Sequence, residues 1–451
     1  MLRPLVRSLG ESLVRLYYPE PTVTGAEHLR PSGPAIFVLN HPNGLLDPLV
    51  LRVAVGRPVR FLAKGTLFGN PLGRLAMEAF GSIPVHRAQD VRAGDGEAGR
   101  AVANEKAFAR CRELLATGEA IALFPEGVSH SEPHLRPLKT GAARIALSAE
   151  RQHRSGLVVI PVGLGYEQKT TFRSRVLLVV GPPLVIAARL DDFQRDERAA
   201  TESLTCDIRA ALDEVVLQAE SHELLEGVAR VATWTAPEAA QDLAAQHRRS
   251  RALLSAYQIM ATRAPADVEP IVRAARQYAR ILRRLGVRDP WALELGPIKP
   301  GRALAAIGLL LIAAPVAALG ALMGWVPYRL AGRVAARVTR DDDVLGTVKL
   351  LGGSLFLLVA WLLEALVAGA LGGVGWGLAA FLAGPLTGYV ALRFDELWGA
   401  MRESLRLLWL RGIHFDQVRR LADRRRALAD AVSRALDASR SEERGTAGEI
   451  Q

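Results

Sequence analysis

Two apolar tracts in the C-terminal third of the chain most constrain its fold. Residues 303–323 contain no charged side chain, and residues 351–392 contain only Glu364. A helix of about 20 apolar residues is long enough to cross a bilayer. Residues 372–376 (GGVGW) interrupt the second tract and predict a tight turn between two passes. The sequence therefore predicts a membrane-embedded region at 301–395, followed by a charged helical tail at 396–451 that frays near Ser439.

Basic residues predict the orientation of this region. Lys and Arg precede the first tract, lie between the tracts and recur from Arg393 onward, and such residues mark cytoplasmic flanks. The second tract satisfies this rule as a two-pass hairpin. The first tract would then enter and leave on one face, bent at Pro315, and a simple three-span arrangement ranks second. We expect residence in the cytoplasmic membrane, with the N-terminal domain facing the cytoplasm.

Apolar runs that alternate with helical patterns predict an α/β domain over residues 21–190. Because helical stretches separate the runs, the sheet should be mainly parallel or mixed. The helical patterns include residues 102–116, which should end at Gly118. The strand-like runs lie at 35–39, 59–63, 82–85, 120–124, 157–162 and 176–180.

The segments that flank this domain have helical patterns. Residues 1–20 predict an amphipathic helix, which could lie on a membrane surface or pack on its own domain. Arginines interrupt its apolar residues, so we expect no cleavable signal peptide. Residues 191–300 predict a solvent-facing helical region, broken near Pro237, Pro265 and Pro290.

Composition narrows the class of partner. The net charge of +11 and a pI near 10.1 favour an anionic partner, such as a membrane surface or a phosphorylated substrate. Aromatic residues make up only 6% of the chain, which argues against a base-stacking surface, and we expect no nucleic acid. Cys111 and Cys206 predict neither a disulfide framework nor a metal cluster. No candidate site has zinc-like spacing, so we expect no metal.

The chemistry-bearing residues begin at the end of the first strand-like run. Residues 40–47 read NHPNGLLD, which places His41 just past a strand end with Asp47 six positions later. A neutral imidazole can accept the proton of an alcohol, and a carboxylate can fix its tautomer and stabilise the imidazolium. The pair taken alone could also be a histidine at a turn and an aspartate that starts a helix.

Further groups follow the other strand-like runs. Residues 81–87 (GSIPVHR) end in Arg87, whose guanidinium offers donors that match phosphate oxygens. Residues 124–130 (FPEGVSH) set Glu126 in a Pro/Gly turn, where its carboxylate could accept hydrogen bonds from hydroxyls or anchor Arg87. Lys64 and Lys139 could add positive charge for a phosphate, or could be solvated surface lysines.

Four blocks in this order resemble the four motifs of the glycerophospholipid acyltransferase family. They are 40–47, 81–87, 124–130 and 159–162 (VIPV), and they cover roughly the first 190 residues. The resemblance implies an acyltransferase-type sheet flanked by helices, with His41 and Asp47 catalytic and Pro161 in the acyl groove. It also implies a substrate-binding set, namely Asn43, Lys64, Arg87, Glu126, Gly127, Ser129 and Lys139.

The first block departs from the common family pattern. Five residues separate His41 from Asp47, whereas the common pattern has four. The longer spacing resembles the fungal-type glycerol-3-phosphate and dihydroxyacetone-phosphate acyltransferases. A turn at Asn43-Gly44 could absorb the extra residue; otherwise Asp47 could not orient His41.

The resemblance implies acyl transfer from acyl-CoA or acyl carrier protein (acyl-ACP) to glycerol-3-phosphate or dihydroxyacetone phosphate, without a cofactor. Acylation of 1-acyl-sn-glycerol-3-phosphate to phosphatidate is the second expectation. A non-catalytic lipid-binding or membrane-shaping protein is the alternative of a different class. The lipid bilayer, the acyl donor and the glycerol phosphate acceptor are the expected partners.

Overall fold

The computed structural model describes residues 2–30, 32–86, 97–236, 242–286, 300–339, 341–413 and 415–448. The chain divides into two compact units. The first comprises Met1–Leu225 together with Thr339–Leu350, and the second comprises Glu226–Val338 and Leu351–Gln451. A short stretch between the two apolar tracts of the sequence therefore belongs to the unit that holds the N-terminal sheet.

In the described part of the first unit, eight strands form one mixed sheet: β1 (Thr22–Thr24), β2 (Ala35–Leu39), β3 (Val59–Lys64), β4 (Ile83–Val85), β5 (Ala120–Leu123), β6 (Val158–Tyr166), β7 (Val176–Val180) and β8 (Leu184–Val185). Their order across the sheet is β1-β7-β6-β2-β5-β3-β4, with β8 paired to β6. Strands β2, β3, β4, β5 and β6 are parallel, whereas β7 and β8 run antiparallel to β6.

The helices of the first unit cover both faces of this sheet. They are α1 (Leu2–Tyr17), α2 (Leu46–Val55), α3 (Pro71–Ala79), α4 (Glu97–Ala116), α5 (Gly141–His153), α6 (Leu190–Arg195) and α7 (Glu197–Val215). The predicted α/β fold and the six predicted strands are confirmed, and the helix predicted at 102–116 is the greater part of α4.

Strand β2 lies at the centre of the core because it is buried on both faces. Ile36 and Val38 pack in a cluster with α4, α5 and α7. Phe37 and Leu39 pack on the other side with α1 and α2. A strand that is covered on both faces needs a continuous apolar run, which is why residues 35–39 show no polar alternation.

The N-terminal helix α1 shows features of both predictions made for it, packing on its own domain and lying on a membrane surface. Val14 and Tyr17, near its C-terminal end, are buried against the sheet unit. Leu2, Leu5 and Leu9, near its N-terminal end, remain mostly exposed. One end of α1 therefore packs on its own unit, and the other end presents a leucine stripe of the kind that suits a membrane surface.

The described residues of the second unit are helical. Helix α8 (His222–Thr235) begins in the first unit, and α9 (Leu243–Arg263) ends just before α10 (Pro265–Leu285), as the break predicted at Pro265 requires. Pro237 and Pro290 lie outside the described residues. The tail forms α14 (Phe415–Gly448), which continues past Ser439, so the fraying predicted there is wrong.

Three further helices carry the apolar tracts: α11 (Pro300–Val338), α12 (Asp342–Gly372) and α13 (Val374–Ile413). All three are long and apolar enough to cross a membrane. The predicted hairpin is present, since α12 and α13 meet at Gly373, whose φ of 88° suits glycine. The bend predicted at Pro315 is wrong, because α11 passes through Pro315 and Pro327 as one continuous helix.

Small residues bring the apolar helices together. A Cβ atom on Gly320 would lie 2.1 Å from the carbonyl oxygen of Thr387, and one on Gly384 would lie 2.4 Å from Cδ1 of Trp361. Membrane helices use glycine in this way because backbones can approach closely where no side chain intervenes. Gly320 and Gly384 therefore serve close helix packing.

Candidate active site

The candidate site lies at the carboxyl edge of the sheet. Strands β2, β5, β3 and β4 are parallel neighbours, so their C-terminal ends meet at one edge. The loop after β2 carries His41 and the loop after β5 carries Glu126, while Lys64 ends β3 in register with Val85 of β4. Open α/β sheets commonly bind ligands at this edge.

His41 and Asp47 form a hydrogen-bonded pair. Nδ1 of His41 lies 2.8 Å from Oδ2 of Asp47, whose side chain is fully buried. The extra residue in the spacing is absorbed at Gly44, whose φ is 48°, while Leu46 N–H donates to the Asn43 carbonyl and α2 begins. The longer spacing therefore does not prevent Asp47 from orienting His41.

Asp47 accepts two further hydrogen bonds. The backbone N–H of Asn43 donates to Oδ2 at 2.7 Å, and the phenol of Tyr166 donates to Oδ1 at 2.6 Å. Burial, followed by the neighbouring Asp47 charge, raises the pKa of Tyr166 well above its usual value. The phenol therefore stays neutral and remains a donor, so both oxygens of Asp47 are held in place.

The imidazole of His41 is fixed from two sides. Its ring stacks on Phe124 with a centroid separation of 3.8 Å and an interplanar angle of 11°. The His41 carbonyl accepts from the His130 N–H at 3.1 Å, which ties the loop after β2 to the loop after β5. With Nδ1–H donating to Asp47, the lone pair is left on Nε2, the nitrogen that can act as a base.

Glu126 is buried with one oxygen uncommitted. Oε2 accepts from Nε2 of His130 at 2.5 Å and from the Arg136 N–H at 2.7 Å. Oε1 is also buried, and it has no hydrogen-bond partner among the described residues. A buried carboxylate oxygen without a donor is rare, and it marks a place where a ligand hydroxyl or a cation fits.

Gly127 and Lys139 lie against each other beside Glu126. Gly127 has a φ of 77°, and a Cβ atom on it would lie 2.6 Å from Nζ of Lys139. The Lys139 N–H donates to the Pro125 carbonyl at 2.8 Å, which fixes the lysine to this turn. A side chain at position 127 would displace Lys139, so the position of this lysine depends on the glycine.

Asn43 serves the scaffold in the described structure. Its amide nitrogen donates to the Tyr18 phenol at 2.7 Å and to the Lys169 carbonyl at 3.2 Å, while its Oδ1 is buried without a partner. The Tyr18 phenol in turn donates to the Lys169 carbonyl. Burial raises the pKa of Tyr18 well above its usual value, so this phenol also stays neutral.

Two further predicted site residues, Arg87 and Pro161, lie away from the His41–Asp47 pair in the sequence. Arg87 lies outside the described residues, but His86 just before it is held by Asn104 through two hydrogen bonds of 2.9 Å. Pro161 is buried in β6, between the part that pairs with β8 and the part that pairs with β7. Its missing N–H is tolerated at that gap. The acyl-groove role of Pro161 stays a prediction.

Sequence reasoning missed several residues of this network. Lys169 donates to the Ser131 hydroxyl at 2.5 Å and to the Pro42 carbonyl at 3.3 Å, and so links two loops of the site. Tyr18 and Tyr166 hold Asn43 and Asp47 from more than twenty residues away in sequence. The four blocks contain none of these residues, so no local pattern marks them.

Comparison with known proteins identifies the sheet unit. Residues 20–165 match the family model described as Acyltransferase. This part of the chain is therefore similar to acyltransferase domains. The four blocks all fall within this range, and the His41–Asp47 pair lies at its sheet edge.

Three curated relatives are similar to part of this chain. An uncharacterized acyltransferase of Schizosaccharomyces pombe is 26% identical over 47% of this chain and 44% of its own length. Glycerol-3-phosphate O-acyltransferase 2 of Saccharomyces cerevisiae is 36% identical over 22% of this chain and 14% of its own length. A 1-acyl-sn-glycerol-3-phosphate acyltransferase of Borreliella burgdorferi is 27% identical over 44% of this chain and 71% of its own length. The chain thus spans less than half of the two yeast relatives.

Proposed function

We propose that this protein transfers a fatty acyl group from a thioester to a hydroxyl of a glycerol phosphate. The observation that carries the proposal is the His41–Asp47 pair, hydrogen-bonded at 2.8 Å at the carboxyl edge of the sheet, with Nε2 of His41 left to accept a proton. Buried Glu126, with its uncommitted oxygen, lies in the loop that is bonded to His41.

The proposed reaction needs no covalent acyl-enzyme. Nε2 of His41 takes the proton of the acceptor hydroxyl while that oxygen attacks the thioester carbonyl carbon. The buried Asp47 carboxylate stabilises the imidazolium that forms. The carbon–sulfur bond of the tetrahedral intermediate then breaks, and the departing sulfur takes the proton from His41. The products are an ester and a free thiol.

We propose glycerol-3-phosphate as the first acceptor, with dihydroxyacetone phosphate as a variant. The long His–Asp spacing and the Saccharomyces cerevisiae relative support this choice. The Borreliella burgdorferi relative supports 1-acyl-sn-glycerol-3-phosphate as the second candidate. The donor would be acyl-CoA or acyl-ACP, and we propose no bound cofactor.

One assay separates these candidates. Purified protein is incubated with each of the three acceptors, once with acyl-CoA and once with acyl-ACP, and both ester and free thiol are measured. We expect thioester-dependent ester formation, highest with glycerol-3-phosphate. Absence of product with every pair, in a folded and membrane-bound protein, would instead favour the non-catalytic lipid-binding alternative.

Arg87 is proposed to bind the acceptor phosphate. Replacing Arg87 with alanine should raise KM for the phosphorylated acceptor about tenfold, because charge-assisted hydrogen bonds are lost, and should leave KM for the thioester nearly unchanged. Arg87→Lys should restore acceptor binding only in part, since lysine lacks the planar fork. Arg74→Ala, at an exposed arginine of α3, is the charge-matched control. Equal changes in both KM values would remove Arg87 from the phosphate site.

We propose that residues 21–190 are the acyltransferase domain, preceded by the amphipathic helix 1–20. The helical region 191–300, the membrane-embedded region 301–395 and the charged tail 396–451 complete the proposed division. All eight described strands lie between Thr22 and Val185, which supports the range of the first domain. The unit boundary at Leu225 lies later, because α6 and α7 pack on the sheet unit.

The apolar helices should hold the protein in the cytoplasmic membrane. We expect the chain to stay in the membrane fraction after high-salt and carbonate washes. These washes weaken electrostatic attachment, but they do not offset the large free energy of transferring long apolar helices from the bilayer to water. Release by carbonate would contradict the proposed membrane region. High salt alone is the control, since it removes proteins that are held only by charge.

Orientation is tested with added cysteine reporters in a Cys206→Ala background, in which the buried Cys111 is the remaining native cysteine. Reporters at Arg337 and Ser439 should label from the cytoplasmic side. A third reporter at Arg284 decides the path of α11: labelling from the opposite side to Arg337 means that α11 crosses fully. Labelling of Arg337 from outside only would overturn the proposed orientation.

A further inference from the structure

The start of helix α12, with the few residues before it, is built into the candidate site. We call residues 339–350 the connector. It belongs to the unit that holds the sheet, although α11 precedes it and the apolar remainder of α12 follows it. Thr347 and Leu350 of the connector are buried, and Leu350 packs in the same core cluster as Leu46 and Val50 of α2.

The connector contacts the loop that carries Glu126. The Ser129 hydroxyl donates to Oδ2 of Asp343 at 2.5 Å, across more than two hundred residues of sequence. Ser129 belongs to the third sequence block, three residues after Glu126. A hydrogen bond to a charged carboxylate is stronger than one between neutral groups. Asp343 therefore fixes one side of the Glu126 turn.

The connector also contacts the loop that carries His41. A Cβ atom on Gly44 would lie 2.8 Å from the Asp343 carbonyl oxygen. A Cβ atom on Gly346 would lie 2.8 Å from Oδ1 of Asn43 and 3.0 Å from Cδ1 of Leu46. Two glycines, one on each segment, are thus needed for the same close approach. The connector is seated directly on the turn between His41 and Asp47.

Charged side chains also link the connector to the candidate site. Burial lowers the pKa of Lys169, and the carboxylates of Asp342, Asp343 and Asp47 oppose that shift. Lys169 is the residue that links Pro42 to Ser131 across the site. At the other end of the connector, the Lys349 ammonium donates to the Thr170 carbonyl at 2.8 Å. The connector therefore holds the loop after β6 as well.

We propose that the connector is part of the active centre, and that Asp343 is a positioning residue that holds Ser129 and the Glu126 turn for the acceptor. Gly346 gives the close fit that holds the turn between His41 and Asp47. The site would be complete only when this start of α12 is seated on it. The catalytic part of this inference rests on the proposed acyl transfer.

A double-mutant cycle on Ser129 and Asp343 tests the positioning role. Asp343→Ala should lower kcat/KM for the acceptor about tenfold and change KM for the thioester little. Ser129→Ala should have a similar effect, and the double variant should be no worse than either single one. Asp191→Ala, at an exposed carboxylate of α6 outside the connector, is the control and should keep wild-type activity. Independent, additive losses would overturn the Asp343–Ser129 link.

A glycine pair in α12 tests the close fit. Gly346→Ala should lower kcat, because the added methyl displaces Asn43 or Leu46. Gly352→Ala should have no such effect, since a Cβ atom on Gly352 meets no heavy atom within 4 Å. Alanine favours the helix equally at both positions, so helix propensity cannot explain a difference. Equal activities of the two variants would overturn the proposed fit.

A cross-link separates failure of this inference from failure of the proposed function. Ser129→Cys and Asp343→Cys are combined in the Cys206→Ala background and treated in membranes with a short thiol-to-thiol reagent. We expect a linked peptide pair by mass spectrometry, whether or not the protein transfers acyl groups. No link, in a protein whose single cysteines both react, would show that the connector is not seated on the site.

Discussion

Replacing His41 with alanine is expected to lower acyl transfer by roughly 10²–10⁴-fold, the range for a positioned general base. The imidazole is held by Asp47 at 2.8 Å and by stacking on Phe124, so its Nε2 has one fixed direction. The loss should appear in kcat, since His41 is proposed to act on the proton that moves in the transition state. Initial rates at saturating acceptor and thioester measure it.

The fold should survive this substitution. Much of the His41 side chain is covered, but the neighbouring strand and helix are held by the core on both faces of β2. Membrane retention and the thermal unfolding midpoint serve as controls. Near-normal turnover in a folded His41→Ala protein would rule out the proposed mechanism.

Asp47→Asn should be less severe than His41→Ala. The asparagine oxygen can still accept from His41 and from the Asn43 N–H, both of which contact Oδ2. Its NH₂ group would face the Tyr166 phenol, whose O–H can rotate away so that the phenol oxygen accepts a hydrogen bond from the amide. Only the charge that stabilises the imidazolium is lost, and we expect a loss of about tenfold in kcat.

The sequence predicted the parts of this protein that local patterns encode. The central strands are continuous apolar runs, because β2 is buried on both faces. His41 and Glu126 were each predicted to follow a strand, and the structure adds that these two strands are parallel neighbours, which brings both residues to one edge. Strands β1 and β8 were not predicted, since runs of three and two residues carry no periodic signal.

Other features depend on contacts between distant segments. Tyr166, Lys169 and Asp343 enter the site from outside the four blocks, and nothing near them in sequence indicates a partner. The bend predicted at Pro315 failed for a different reason. Proline removes one helix hydrogen bond, but long membrane helices tolerate it when neighbouring helices and local adjustments satisfy the freed carbonyl.

Glu126→Gln is expected to lower kcat/KM for the acceptor by roughly 10²-fold, with a much smaller effect on KM for the thioester. The glutamine oxygen can keep both bonds of Oε2, from His130 and from the Arg136 N–H. The amide nitrogen would then occupy the place of Oε1. A donor there cannot accept a hydrogen bond from a glycerol hydroxyl, so acceptor binding is lost while the turn is kept.

Glu132→Gln is the matched control, because Glu132 lies near this turn but is partly exposed and pairs with Arg136. It should keep nearly wild-type kcat/KM. The double variant Arg87→Ala/Glu126→Gln separates the two roles open to Oε1. If Glu126 binds the hydroxyl and Arg87 the phosphate, their effects on acceptor binding should add. If Glu126 instead anchors Arg87, the double variant should be no worse than Arg87→Ala alone. An unchanged kcat/KM in Glu126→Gln would leave the buried carboxylate with a purely structural role.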